Sequence, residues 1–203
     1  MRKIILHLFL SLLLFAISFH GKSESESATL SDIEKELFDS GLNFKTLGRW
    51  DDAINEFNKV LNANPKSSES YYQIGIIYDY QLRYDEAIGF FQKASETDSK
   101  YAFFAGLDYE NLGRWDNAIS SFKKVVASYP DFINARFHLG LSYNKKKMYS
   151  EAIAEFKKIL EQDKNHAGSL YNLAVIYKDL GLTSEAEKEA LRFNQITFSE
   201  WKP

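Results

Sequence analysis

The feature that most constrains this chain is a phrase that returns. Leu112-Gly113-Arg114-Trp115-Asp116-Asn117-Ala118-Ile119 repeats Leu47-Gly48-Arg49-Trp50-Asp51-Asp52-Ala53-Ile54 almost letter for letter. Looser copies run from Leu82 to Ile88, from Lys147 to Ile153 and from Gly181 to Ala186. The shared alanines stand at 53, 87, 118, 152 and 186, so the steps are 34, 31, 34 and 34 residues. A fixed period of this length marks a repeat array, in which each unit packs only on its neighbours.

Each period carries two helical patterns, and the units span about 34–67, 68–98, 99–132, 133–166 and 167–200. The first helix of each has a small residue at its eighth position: Gly41, Gly75, Gly106, Gly140 and Ala174. An aromatic follows three residues later, at Phe44, Tyr78, Tyr109, Tyr143 and Tyr177. A glycine inside a helix costs roughly 1 kcal/mol against alanine. Small residues in phase five times therefore predict close approach of two helices. The second helices are expected to be capped by Asp51, Asp85, Asp116, Ser150 and Ser184, all favourable N-cap types. Their alanines are followed at i+4 by Phe57, Phe91, Phe122, Phe156 and, in the last unit, Ala190. That spacing puts each pair on one helix face. Pro65 and Pro130 close the first and third units, where a helix must stop.

This in-phase pattern resembles the tetratricopeptide repeat family over residues 34–198. The resemblance implies an all-α, right-handed superhelical solenoid of about five helix-turn-helix repeats. Leu82 and Lys147 stand where three of the five turns have glycine, so a left-handed backbone there would be strained. The 31-residue step places a three-residue deletion near residues 97–101 and predicts a shortened helix end and a local change of twist. Ala190 and the missing final proline suit a terminal unit. Phe198 and Trp201, on and after the charged last helix, are expected to pack back as a lid, with docking of a partner as the alternative.

The ends and the composition restrict function. Arg2 and Lys3 precede an apolar run from Ile4 to Phe19, and no acid occurs before Glu24. Residues 1–21 thus have the layout of a signal peptide, with an uncleaved N-terminal anchor as the alternative. Residues 22–30 read as a flexible acidic Ser/Glu linker and 31–203 as the repeat domain, opened by a capping box at Ser31 and Glu34. Net charge is −3, and without the first 21 residues two cations are lost and it becomes −5. No basic stripe exists to neutralise phosphates, which argues against nucleic acid. There is no cysteine, so no disulfide staples the fold. Outside the leader only His138 and His166 remain, too few for a metal set. No nucleophile–base pair or phosphate loop is evident, so no enzyme activity, cofactor or metal is expected.

The resemblance implies that positions 5, 9 and 12 of each unit face a concave groove that takes a partner. Position 5 is Phe38, Tyr72, Phe103, Phe137 and Tyr171; position 9 is Leu42, Ile76, Leu107, Leu141 and Val175. Position 12 is Lys45, Asp79, Glu110, Asn144 and Lys178. The lysine and asparagine clamp with which some members hold a carboxylate is absent at positions 5 and 9. What remains is an apolar stripe suited to an amphipathic helix or hydrophobic segment. Position-5 aromatics also have a purely structural use, packing between neighbouring first helices. The expectation is a non-enzymatic interaction scaffold or adaptor with a protein or peptide partner. It would be exported to a bacterial cell envelope, periplasmic or secreted. The alternatives are a self-associating envelope component and a carrier of an apolar small ligand.

Overall fold

The computed structural model describes residues 31–200, with side-chain detail as far as 197. The expected signal segment, the linker, Trp201 and the side chain of Phe198 lie outside that range. Among the described residues there are ten α-helices, one 3-10 turn and no strand. The chain divides into two compact units at Ser70/Tyr71. The first unit contains α1 (31–46) and α2 (Trp50–Ala63). The helix α3 (Ser68–Tyr80) crosses the division. The second unit continues with α4 (Tyr84–Thr97), a 3-10 turn (Ser99–Tyr101), α5 (Ala102–Asn111) and α6 (Trp115–Ser128). It ends with α7 (Ile133–Lys145), α8 (Tyr149–Gln162), α9 (Ala167–Asp179) and α10 (Thr183–Glu200).

Glycine and phenylalanine together set the spacing of each helix pair. A methyl group built on Gly41 would lie 2.7 Å from the Phe57 ring, on Gly75 2.6 Å from Phe91 and on Gly140 2.8 Å from Phe156. At Gly106 it would press still closer on Phe122. All four phenylalanines are buried. Each ring lies flat on a first helix that has no side chain in its way, which is the close approach read from the eighth position. In the second unit the rings join one core with Ala87, Ala118, Ala152, Leu139, Leu173 and Ile176.

The turns within repeats share one geometry. The second residue after the first helix has positive φ: Gly48 (71°), Leu82 (59°), Gly113 (68°), Lys147 (59°) and Gly181 (74°). The next residue's N–H reaches back five residues, as from Arg114 to Tyr109 O at 2.8 Å and from Met148 to Tyr143 O at 2.9 Å. This is a Schellman closure, which needs the left-handed backbone. Leu82 and Lys147 adopt it despite their side chains, as their alignment with the glycines predicted.

Two expectations are corrected. The second helices begin two residues earlier than caps at Asp51, Asp85, Asp116, Ser150 and Ser184 would place them, at Trp50, Tyr84, Trp115, Tyr149 and Thr183. Arg49, Arg83, Arg114 and Met148 hold N-cap positions without side-chain caps. The Schellman closure carries the chain straight into the next helix, so Asp51, Asp85 and Asp116 sit inside the first turn. There they face the helix's positive end and favour it electrostatically. The predicted capping box at Ser31 meets a chain already helical at the first described residue.

The three-residue deletion lies where it was expected, near residues 97–101. The helix α5 has 10 residues where α3, α7 and α9 have 13, because the 3-10 turn takes the place of its first turn. The helix α4 is not shortened and keeps 14 residues, as do α2, α6 and α8. The loss is taken by the connection, where Asp98 alone joins α4 to the 3-10 turn. Asp98 accepts from the Lys100 N–H and from the Tyr129 hydroxyl at 2.7 Å. The Lys124 ammonium donates to Ser95 O at 2.9 Å, covering the end of α4. A tighter helical turn thus follows a shortened loop.

Candidate functional site

The groove residues predicted from sequence lie on the first helices, but they do different work. Position 5 is mortar. Tyr72 packs on Phe91 of its own repeat and on Tyr101 and Phe104 of the next, with ring centroids 6.1, 5.0 and 4.7 Å away. Phe103 likewise joins Phe122 to Phe132 and His138. Phe137 joins Phe156 to His166. In the first unit Phe38 packs on Phe57 at 5.4 Å. These side chains are therefore half-consumed by repeat packing. Tyr171 differs: it touches Phe193 of α10 at 5.7 Å and is 54% exposed.

Position 12 is partly spent in ties to the following repeat. Glu110 accepts from the Ser142 hydroxyl at 2.7 Å, and its other oxygen lies 2.7 Å from His138 Nδ1. Asp79 meets Asp108, which is buried. Burial, and after it the Asp79 charge, push the Asp108 carboxyl up to about 8. At neutral pH Asp108 is therefore protonated, able to share its hydrogen with Asp79. In the first unit, partial burial holds the Lys45 ammonium below its ordinary range, with Glu69 opposing the shift. Asn144 is half-buried and Lys178 exposed.

Position 9 is the remaining set. In the second unit Ile76, Leu107, Leu141 and Val175 are each half-buried, and the first three also rest against the core. Leu42 occupies the same repeat position in the first unit and is also half-buried. An aliphatic row kept half-open by the fold suits an apolar contact.

Two roles had little sequence signal. His166, read as a surface turn residue, caps α9: the Ser169 N–H donates to its Nδ1 at 3.1 Å. His138, read as lying near the groove rim, is held by Glu110 and flanked by Phe103, Phe122 and Phe137. Among the described residues no group of three His, Cys, Asp or Glu is placed to hold a metal ion. No described helix is long and apolar enough to cross a membrane.

The paired helices, the small-residue seats and the row of half-buried aliphatics define a helical-repeat protein. A tetratricopeptide repeat family model matches residues 38–102 and 105–167, and a second tetratricopeptide repeat model matches 155–188. The chain belongs to the tetratricopeptide repeat family. Among solved structures it is similar to MamA, with TM-score 0.75 and 21% identity over 85% of this chain and 97% of that one. It is similar to MamA 41-end from Desulfovibrio magneticus RS-1, with TM-score 0.73 and 17% identity over 84% and 98%. It is also similar to YrrB, described as a TPR protein with an unusual peptide-binding site, with TM-score 0.68 and 22% identity over 79% and 84%. At these identities the likeness is one of fold. Comparison with curated proteins finds no match.

Proposed function

We propose that this protein is a non-enzymatic interaction scaffold of the bacterial cell envelope. It takes an apolar segment of a partner protein along the first-helix face of its second unit. The observation that carries this reading is the aliphatic row Ile76, Leu107, Leu141 and Val175, each half-open on successive first helices. A scaffold needing only self-packing would bury that row or replace it with polar residues. Family membership supports a protein partner, and the peptide-binding site named for YrrB is a parallel in a protein of the same fold. The basic start and apolar run before residue 21 support export.

The groove is tested by Leu107→Gln with Leu141→Gln, which keeps side-chain length and changes polarity. Partner binding in envelope fractions should fall while far-ultraviolet helicity stays at the wild-type level. Unchanged binding would remove this face from the interaction. The location is tested by fractionation with N-terminal sequencing of the mature chain. A start between residues 19 and 25 fits export with cleavage, whereas an intact Met1 in the cytosolic fraction contradicts it.

A further inference from the structure

The fifth repeat departs from the other four in one way that leaves a hollow. Repeats one to four seat a phenylalanine on the first helix; here Ala190 faces Ala174, and the aromatic appears a turn later, at Phe193. The result is a cleft of about 600 Å³ between α9 and α10. Its walls are Tyr171, Ala174, Val175, Ala186, Ala190 and Phe193, with Lys178 and Glu187 at the rim.

This cleft continues the interface that joins one repeat to the next. In the third repeat Phe103 and Val125 form the corresponding surface, which is covered by the first helix of the fourth: Val125 packs with Ala135, and Phe103 rests on Phe132 and His138. In the fourth, Phe137 lies against His166 and against Gly168. The helix α9 buries Ser169, Leu173 and Ile176 at 0–1% exposure, a stripe at i, i+4 and i+7 that begins with a small residue. Tyr171 and Phe193 present the same kind of surface, and Tyr171 is 54% exposed.

We infer that this cleft docks an amphipathic helix from a different protein, in the place of a sixth first helix, with a large apolar side chain entering the hollow beside Ala174 and Ala190. A second copy of this chain is a poor fit. The corresponding stripe on α1 is Glu36, Ser40 and Asn43, with Glu36 and Asn43 exposed, and burying a carboxylate and an amide in an apolar cleft is unfavourable. The inference rests on the proposed role in protein binding and shares Val175 with the aliphatic row, so Leu107 and Leu141, which do not line the cleft, are the positions that separate the two readings.

A fluorescein-labelled peptide of residues 167–179 serves as the probe, since α9 carries the stripe that docks on the equivalent surface. A peptide of residues 31–46 is the comparison. The purified chain should bind the first at least about tenfold more tightly than the second. Val175→Glu should weaken it about tenfold or more by placing a charge in the cleft. The double variant Ala174→Gly with Ala190→Phe restores the arrangement of the other repeats, and it should weaken binding similarly with an equal or higher melting temperature. No binding, or equal binding of both peptides, overturns the inference. So does a sedimentation mass that doubles with concentration and reverts in Val175→Glu, which would give the cleft to a second copy. Loss of the probe only in Leu107→Gln with Leu141→Gln overturns the cleft while leaving the groove reading intact.

Discussion

At the scale of single residues, four positions make the physics testable. Leu82 and Lys147 hold φ near 59°, and a left-handed backbone costs a side-chain-bearing residue about 1–2 kcal/mol. Leu82 is 70% exposed, so little packing is lost with its side chain. Leu82→Gly and Lys147→Gly should each raise stability by about 0.5–1 kcal/mol in urea unfolding, after the entropy cost of glycine in the unfolded chain is counted. Gly106→Ala runs the other way: its new methyl meets the fully buried Phe122 ring, and overpacking of this kind costs about 1–3 kcal/mol. Adding Phe122→Leu should recover part of that loss, because the two sites share one contact. Asp108 supplies a pH dependence. Its folded pKa, raised to about 8 from an ordinary value of 3.8, means that the folded state binds a proton the unfolded state has released. Stability from this group is complete below the unfolded value and is lost as pH rises through 8. Urea midpoints should therefore fall between pH 5 and pH 9, and Asp108→Asn should flatten that fall.

At the scale of elements, the local patterns were largely readable and their boundaries were not. The eighth-position glycines and the later phenylalanines announced a close helix pair, because glycine in a helix has few other reasons to recur. The caps expected at the Asp residues of the phrase lie two positions earlier, since the Schellman closure before them is a matter of backbone geometry rather than of residue type. The deletion was readable as a missing length but not as a missing loop. Whether a chain shortens a helix or its connection depends on what covers the exposed carbonyls, and here Lys124 from α6 reaches Ser95 O. Lys124→Met should destabilise by about 1 kcal/mol, the net worth of a typical hydrogen bond. Its hydrogen-exchange effect should be centred on the end of α4. The links between turns, Arg114 to Asp85 at 2.5 Å and Lys146 to Asp116, are exposed ion pairs and contribute little.

At the scale of the whole molecule, the period alone determined a great deal. It pointed to two helices per repeat, five repeats and the family; the face on which a partner is expected is what the family resemblance implies. The period could do so because every unit must match its neighbours, and that requirement writes the same small and aromatic residues into the chain again and again. The tertiary structure decided how each candidate side chain is used. Position 5 is aromatic in all five repeats, yet Tyr72, Phe103 and Phe137 are taken up by the following repeat, while Tyr171 stays 54% exposed. Glu110 reads as a groove acid but is bound to Ser142 and His138, and His166 reads as a surface turn but caps a helix. These assignments depend on contacts between residues about thirty positions apart. The one-dimensional pattern specifies which residues recur; only the folded chain determines which of them the next repeat covers.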